Sequence, residues 1–226
     1  MRETVTGIIV AGGLSRRFGS DKASATLCGR PLLQWVRDAL APVVDELVIV
    51  TAAGQTLPPM HPAIPATIVE DREPERGPLG GLATGFAVAA SPVCFAASCD
   101  APLLRTPVVE RIVEALGDHN AVLPEVGGYQ QPLAAAYRRE PALAAAEAAL
   151  AAGGNRVIDA FAALDVLPLG EDRLTPLDPD LRSFRNANTP EELAELAALV
   201  DSPAPTPASA PRRRRAKARG KSRRRH

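Results

Sequence analysis

Three short stretches of the chain combine residue types that handle phosphate, nucleotide and metal. Ala11-Gly12-Gly13-Leu14-Ser15-Arg16-Arg17-Phe18-Gly19-Ser20-Asp21-Lys22 joins paired glycines to two arginines and a lysine. Glycines let backbone N–H groups approach an anion, and the cationic side chains neutralise phosphate oxygens. Val69-Glu70-Asp71 is followed by Arg76-Gly77-Pro78-Leu79-Gly80-Gly81-Leu82, whose glycines precede a helical pattern and are read as presenting N–H groups to a ligand. Cys99-Asp100-Ala101-Pro102 follows an apolar run and supplies a carboxylate, a hard oxygen donor suited to Mg²⁺ bridging to a nucleotide. The first spacing fits neither GxxxxGK[ST] nor GxGxxG, which excludes a P-loop and a dinucleotide fingerprint. Singly, the glycine loop reads equally well as a plain turn, and Asp100 as a turn or cap residue. Their coincidence carries more weight.

Those loops need a scaffold that brings them together. Strand-like runs at 4–10, 46–51, 67–70 and 93–99 alternate with helical patterns at 31–41, 79–90 and 106–116. Leu47-Val48-Ile49-Val50 and Val93-Cys94-Phe95-Ala96 are continuously apolar, as suits central strands of a parallel sheet covered on both faces. The expected fold class is α/β: a single doubly wound, Rossmann-like, mostly parallel sheet with helices on both faces. Its carboxyl edge would gather all three loops. Further on, 121–124 and 133–137 read as strands, and 141–152 and 155–163 as helices. Thr189-Pro190-Glu191-Glu192 opens a last helix with an N-cap threonine, proline at the first helical position and acids in the first turn.

With 226 residues, 46% hydrophobic and 23% charged, the chain can bury a full core. No apolar stretch approaches the roughly 18–20 residues of a membrane span, and the N-terminus has no signal-peptide pattern, so the expected compartment is the cytoplasm. Cys28, Cys94 and Cys99 form neither a CxxC pair nor a zinc-ligand spacing with histidine. Ten of the 26 basic residues fall in 212–225, while only one of the 26 acids, Asp201, lies beyond Val200. Residues 1–200 therefore hold 16 basic and 25 acidic residues, a net −9. The expected organisation is one domain over 1–200 and a disordered Pro/Ala linker and basic tail over 201–226. The tail has no interleaved aromatics, so only weak polyanion binding is expected of it.

Ala-Gly-Gly-x-Ser-x-Arg-x-Gly-x-Asp-Lys, Gly-Pro-Leu-x-Gly, Cys-Asp-x-Pro and Asn-x-Asn-Thr-Pro-Glu-Glu-Leu together resemble the molybdopterin guanylyltransferases, members of the MobA-like nucleotidyltransferases. The resemblance spans most of 5–200. It implies transfer of GMP from GTP to molybdopterin or molybdenum-molybdopterin with Mg²⁺, and contact with other proteins of the molybdenum cofactor pathway. Carried over by position, Ala11, Gly12 and Gly13 would contact base and ribose through the backbone, and Lys22 would hold the phosphates. Asp71 would bind the nucleotide, Asp100 would ligate Mg²⁺, and Arg17 would assist Lys22 and Asp100 in catalysis. CTP-using relatives typically show Ala-Ala-Gly and Gly-Asp-Met-Pro, so Gly12-Gly13 and Cys99-Asp100-Ala101-Pro102 resemble the guanine-using branch. Phe18 replaces the usual methionine, and Thr51-Ala52-Ala53 lacks the asparagine often found after the second strand. The second substrate is expected toward the C-terminal half, at Gln131, Arg156, Asn186 and Asn188, with Arg138 and Asn155 among the other polar groups of that region; His61 and His119 are read as non-catalytic. The alternatives are a relative using CTP or another triphosphate on molybdopterin or another phosphorylated small molecule, and a non-catalytic nucleotide-binding protein with a polyanion-binding tail.

Overall fold

The computed structural model describes residues 2–12, 24–60 and 64–200. In chain order the elements are β1 (Val5–Val10), β2 (Thr26–Leu27), β3 (Arg30–Pro31), α1 (Leu32–Leu40), β4 (Glu46–Thr51), β5 (Ala66–Glu70), α2 (Pro78–Val88), β6 (Val93–Ser98), α3 (Thr106–Glu114), β7 (Ala121–Val126), β8 (Tyr129–Gln130), β9 (Ala134–Arg138), α4 (Arg139–Ala151), α5 (Val157–Phe161), β10 (Val166–Leu169), α6 (Glu171–Leu174) and α7 (Pro190–Val200). The main sheet has the order β5-β4-β1-β6-β9-β7-β10, with β8 hairpinned onto β7. β5, β4, β1 and β6 are mutually parallel. β9 alone among the long strands runs against its neighbours β6 and β7, and β10 is again parallel to β7.

The continuous apolar runs become the inner strands because both faces of the sheet are covered. Along β1, Val5 and Ile9 meet Leu33, Val36 and Leu40 of α1 and Val108 and Ile112 of α3. Ile8 and Val10 face the other way, with Leu79, Leu82 and Phe86 of α2 and Ala142 and Ala146 of α4. Phe86, Tyr137 and Phe161 form an edge-packed aromatic group on that second face, with centroids 5.1–6.3 Å apart. Gly81 and Gly85 lie one turn apart on α2, where an added Cβ would come within 2.9 Å of Val10 and 2.4 Å of Ile8. They let α2 seat directly on β1.

Three parts of the architecture depart from the reading of the sequence. Val166-Leu167-Pro168-Leu169 forms β10 despite its proline, which an edge strand with one neighbour tolerates. The helix expected over 155–163 is the shorter α5, since Arg156 takes an extended N-cap conformation before it. β2 and β3 form a tight hairpin too short to announce itself. Among the described residues no helix is long and apolar enough to cross a membrane. The basic tail lies outside the described residues.

Candidate functional site

The parallel strands β1, β4, β5 and β6 all end on one edge, and their connections are sewn together there. The N–H groups of Ala11 and Gly12 both donate to Val50 O, at 2.8 and 3.0 Å. A Cβ on Gly12 would stand 2.7 Å from Ala52 N and 2.9 Å from the carbonyl carbon of Thr51, so only glycine allows the two backbones to pass. Gln55 stitches the same loops: its Nε2 donates to Ala11 O at 3.2 Å, and its Oε1 accepts the Ala52 N–H at 2.8 Å. Sequence reasoning missed Gln55 by looking for a carboxamide at 51–53; the signal was an amide a few residues further on.

Gly13, Arg17, Lys22 and His61 lie outside the described residues. The chain re-enters at Ser24 and is anchored at once. Leu32 N–H donates to Ala25 O at 2.9 Å, and Trp35 Nε1 donates to Leu27 O at 3.2 Å. The Arg30 guanidinium lies 4.6 Å above the Trp35 ring and pairs with Asp38. Leu27 and Leu32 also pack with Ala187 and with Leu196 of α7.

Asp71 follows β5, and its N–H donates to Thr51 O at 2.8 Å. Its Oδ1 accepts the Glu73 N–H at 2.9 Å and the Thr84 hydroxyl at 3.3 Å, while Thr84 Oγ1 accepts the Arg72 N–H at 3.1 Å. Burial raises the carboxyl above its ordinary range, and these hydrogen bonds oppose the rise. The adjoining glycines have a packing reason of their own. α2 begins at Pro78, so Gly80 and Gly81 lie inside its first turn. A Cβ at Gly80 would run into Glu73 O, and Gly81 faces Val10, so close packing alone requires glycine at both positions.

Asp100 is 6% exposed at the end of β6. Its Oδ1 accepts the Ser98 hydroxyl at 2.6 Å, and its backbone O accepts the Ala187 N–H at 2.8 Å. Cys99 N–H donates to Val10 O at 3.2 Å, so Asp100 stands one strand from Ala11. Asp71 directly follows β5, three strands from β6, and its carboxylate turns back toward β1: a Cβ at Gly81 would stand 3.8 Å from Asp71 Oδ2 and 2.9 Å from Val10.

The residues assigned to the second substrate divide. Gln131 holds the connection between β8 and β9 through its N–H to Pro124 O (2.9 Å) and its Nε2 to Tyr129 O (3.2 Å). Leu133 O in the same connection accepts the Ser98 N–H at 3.2 Å. Asn186 and Asn188 are exposed and flank the Ala187 contact with Asp100. Thr189 caps α7 by accepting the Glu192 N–H at 3.2 Å. Arg156, 74% exposed, pairs with Asp159 at 3.2 Å. Arg138 does not belong to the site. β9 runs antiparallel to β6, which carries Arg138 to the opposite edge beside Val93, where it binds Glu3 at 2.7 Å. His119, paired with Asp165 at 3.0 Å just before β7, also lies away from the catalytic edge.

Residues 7–166 match the family described as the MobA-like NTP transferase domain. The chain belongs to this family. Among its relatives, the molybdenum cofactor guanylyltransferase of Desulfosudis oleivorans is 36% identical over 200 residues, covering 88% of this chain and 96% of that protein. The probable molybdenum cofactor guanylyltransferase of Natronomonas pharaonis is 35% identical over 191 residues, covering 83% and 94%. In fold, the chain is similar to molybdopterin-guanine dinucleotide biosynthesis protein A from Archaeoglobus fulgidus, with a TM-score of 0.70 at 24% identity over 86% of this chain and 98% of that one. It is also similar to 2-C-methyl-D-erythritol 4-phosphate cytidylyltransferase from Thermus thermophilus, with a TM-score of 0.66 at 19% identity over 88% and 98%. Relatives of that fold are named for different bases, so the fold alone does not select one.

In this MobA-like domain the edge offers backbone at Ala11-Gly12, the carboxylates of Asp71 and Asp100, and the Gln55 carboxamide. Among the described residues no group of three or more histidines, cysteines or acids gathers to hold a metal. Asp100 is nevertheless a hard oxygen donor, oriented by Ser98. That donor set fits a divalent ion completing its shell with phosphate and water oxygens. Of the cysteines, Cys94 is buried and its thiol is pushed up to about 12 by desolvation, which keeps it protonated and out of any nucleophilic role.

Proposed function

We propose that this chain transfers GMP from GTP to the terminal phosphate of molybdopterin, with or without molybdenum, and releases pyrophosphate to leave the guanine dinucleotide. The observation that carries this reading is the near full-length match to a relative named for that activity, in a chain whose motif residues Gly12, Asp71 and Asp100 fall on one sheet edge. The acceptor phosphate is already ionised at neutral pH and needs no base from the protein. One of its oxygens bonds to the α-phosphorus of GTP as the bond to the bridging α,β-oxygen breaks, and that oxygen leaves with the electron pair on pyrophosphate. No covalent protein intermediate is required.

The chain's part is positioning and charge neutralisation. Ala11, Gly12 and Gly13 hold the nucleoside through the backbone, and Asp71 holds the nucleotide from the far end of the edge. Lys22 and Arg17 neutralise the phosphates, which matters because a domain of net −9 over residues 1–200 repels its anionic substrates. Asp100 would hold Mg²⁺, which when bound would screen the phosphate charge. Gln131, Arg156, Asn186 and Asn188 form the acceptor side.

Pyrophosphate release from purified protein, Mg²⁺, molybdopterin and each of the four triphosphates tests the reading. GTP is expected to support turnover, and turnover with CTP but not GTP would replace it with a cytidylyltransferase. Lys22→Ala is expected to weaken both GTP binding and transfer, with Lys22→Arg restoring part of each.

A further inference from the structure

The segment between α6 and α7 delivers Asn186 and Asn188 to the catalytic edge, and a buried carboxylate holds it there. Asp178 is 1% exposed. Its Oδ2 accepts the Ser183 N–H at 2.7 Å, and its Oδ1 lies 3.8 Å from the Arg105 guanidinium. Ser183 is itself buried, and its Oγ accepts the Arg105 backbone N–H at 3.2 Å. Arg105 ends the short connection after Asp100, whose turns are closed by Ala101 N–H to Ser98 O (3.4 Å) and Leu104 N–H to Ala101 O (3.2 Å). The Asp178–Ser183 pair therefore grips the peptide that begins with the proposed metal ligand.

The grip also sustains backbone strain. Leu181 has φ +51°, a left-handed conformation unfavourable to a residue with a Cβ. It is held by Leu181 N–H to Asp178 O at 2.9 Å and Phe184 N–H to Leu181 O at 3.2 Å. Three residues past Phe184, Ala187 N–H meets Asp100 O. Arg182 fastens the same turn to the end of α7 by donating to Leu199 O at 3.1 Å. An apolar side chain at 178 would fill the space without burying charge. The carboxylate instead fixes one register between residues 178–188 and the Asp100 connection.

Resting on the function proposed above, we propose that Asp178 is the positioning residue of the acceptor site. It sets Asn186 and Asn188 beside Asp100, where their carboxamides, each both donor and acceptor, suit the amide-like edge of a pterin. The segment is anchored on Asp100, Arg105 and Leu199 and not on the loops that carry Gln55 and Asp71, so loss of Asp178 weakens acceptor binding more than GTP binding.

Steady-state kinetics of Asp178→Ala and Asp178→Asn, varying molybdopterin at saturating GTP and then the reverse, test this. Asp178→Ala strands the buried Ser183 N–H and is expected to raise KM for molybdopterin about tenfold while KM for GTP stays within about twofold. Asp178→Asn keeps an oxygen for that N–H and is expected to recover most of the loss. Ser183→Ala, which removes only the Oγ partner of Arg105, gives the same split at smaller size and stands in if Asp178→Ala does not fold. Equal rises in both KM values, or unchanged KM values with a lowered Tm alone, would overturn the positioning role. Pterin binding to the parent, read by fluorescence without GTP, separates the two failures. A parent that binds no molybdopterin sinks the functional reading and this proposal with it, whereas an active parent with a variant lacking the split sinks only the role of Asp178.

Discussion

The two halves of the sheet solve different problems. On the β5-β4-β1-β6 side, all strands are parallel, and the groups assigned to the nucleotide follow strand ends directly: Ala11-Gly12 after β1, Asp71 after β5 and Asp100 after β6. On the β9-β7-β10 side one strand is reversed, and the groups assigned to the acceptor sit on turns. Gln131 is held within its own hairpin by Pro124 and Tyr129, while Asn186 and Asn188 come in from the segment before α7, where Ala187 meets Asp100. In the function proposed above, the triphosphate, a generic ligand, is gripped by backbone and charge at a sheet edge, and the acceptor, a ligand of individual shape, is met by turns on a rigid frame.

If the parallel half carries the chemistry, its largest single sensitivity is Asp100→Asn, which keeps the side chain's shape and removes its charge. A metal supplying several kcal/mol of transition-state stabilisation, half or more of it through this ligand, implies a loss of roughly 10²–10³ in kcat. The fold is expected to survive, and higher Mg²⁺ to restore part of the rate. Were Asp100 only the partner of Ser98 and Ala187, the variant would lose Tm and keep its rate per folded molecule. Unfolding and pyrophosphate release measured on one preparation separate these.

Gly12→Ala probes the same half through backbone proximity. Its Cβ would stand 2.7 and 2.9 Å from backbone atoms of the loop after β4, which cannot yield as a side-chain tip can. Overpacking of about 1–3 kcal/mol, expressed at the nucleotide loop, corresponds to a fall of roughly 5- to 150-fold in kcat/KM for GTP. The same substitution at Gly128, in the β7–β8 turn with nothing within 4 Å of an added Cβ, strains only its positive φ of 79° and is expected to leave GTP kinetics near normal. Equal losses at both positions would dissolve the distinction between the halves.

The parallel half was also the legible one. Continuous apolar runs gave away β4 and β6, because burial on both faces leaves no alternation to disguise them, and the strand-like run at 4–10 gave away β1. The motif spacing marked Gly12, Asp71 and Asp100 as candidates. What stayed hidden depended on direction or distance. Nothing in Ala134-Ala135-Ala136-Tyr137-Arg138 says that the strand is reversed, and a parallel β9 would have brought Arg138 to the catalytic edge. Pro168 disguised β10. Asp178 lies in a polar Leu-Asp-Pro-Asp-Leu run that reads as loop, and its meaning comes from Arg105, far away in the chain. Gly80 and Gly81 were visible as glycines, but whether a glycine serves a ligand or a neighbouring strand is decided by what lies opposite its missing Cβ.

Asp71 sharpens the comparison by separating binding from stability. Burial raises its carboxyl above the ordinary value near 3.8, so the folded chain holds this proton to higher pH than the unfolded chain. Its contribution to stability is therefore full below about 3.8 and is lost as pH rises through the elevated value. Asp71→Asn retains oxygen for the Glu73 and Thr84 donors and carries no charge to desolvate. It is expected to equal or exceed the parent in Tm at pH 7, with that advantage shrinking as pH falls through the acid range. KM for GTP is expected to rise by about tenfold or less, as for one lost charged contact. A variant of lower Tm with unchanged GTP kinetics would make Asp71 a structural residue and remove the far end of the nucleotide site.

The smallest effect is expected where the charge is greatest. α7 ends at Val200, and its packing against the hairpin, through Leu193, Leu196, Ala197 and Val200 with Leu27 and Trp35, is complete before the proline-rich spacer begins. The Leu199 carbonyl is likewise occupied by Arg182. Truncation after Val200 thus removes ten basic residues and one acid and leaves every contact named above in place, and kcat is expected to stay within about twofold of the parent at moderate salt, where charges beyond about 10 Å are screened. Binding of the full chain to heparin or single-stranded DNA is expected to fall steeply with added salt and to vanish on truncation, as counterion release requires. A truncated enzyme that loses most of its turnover at moderate salt would mean that the tail works at the catalytic edge, and the division of the chain into a self-sufficient domain and an appended arm would fail.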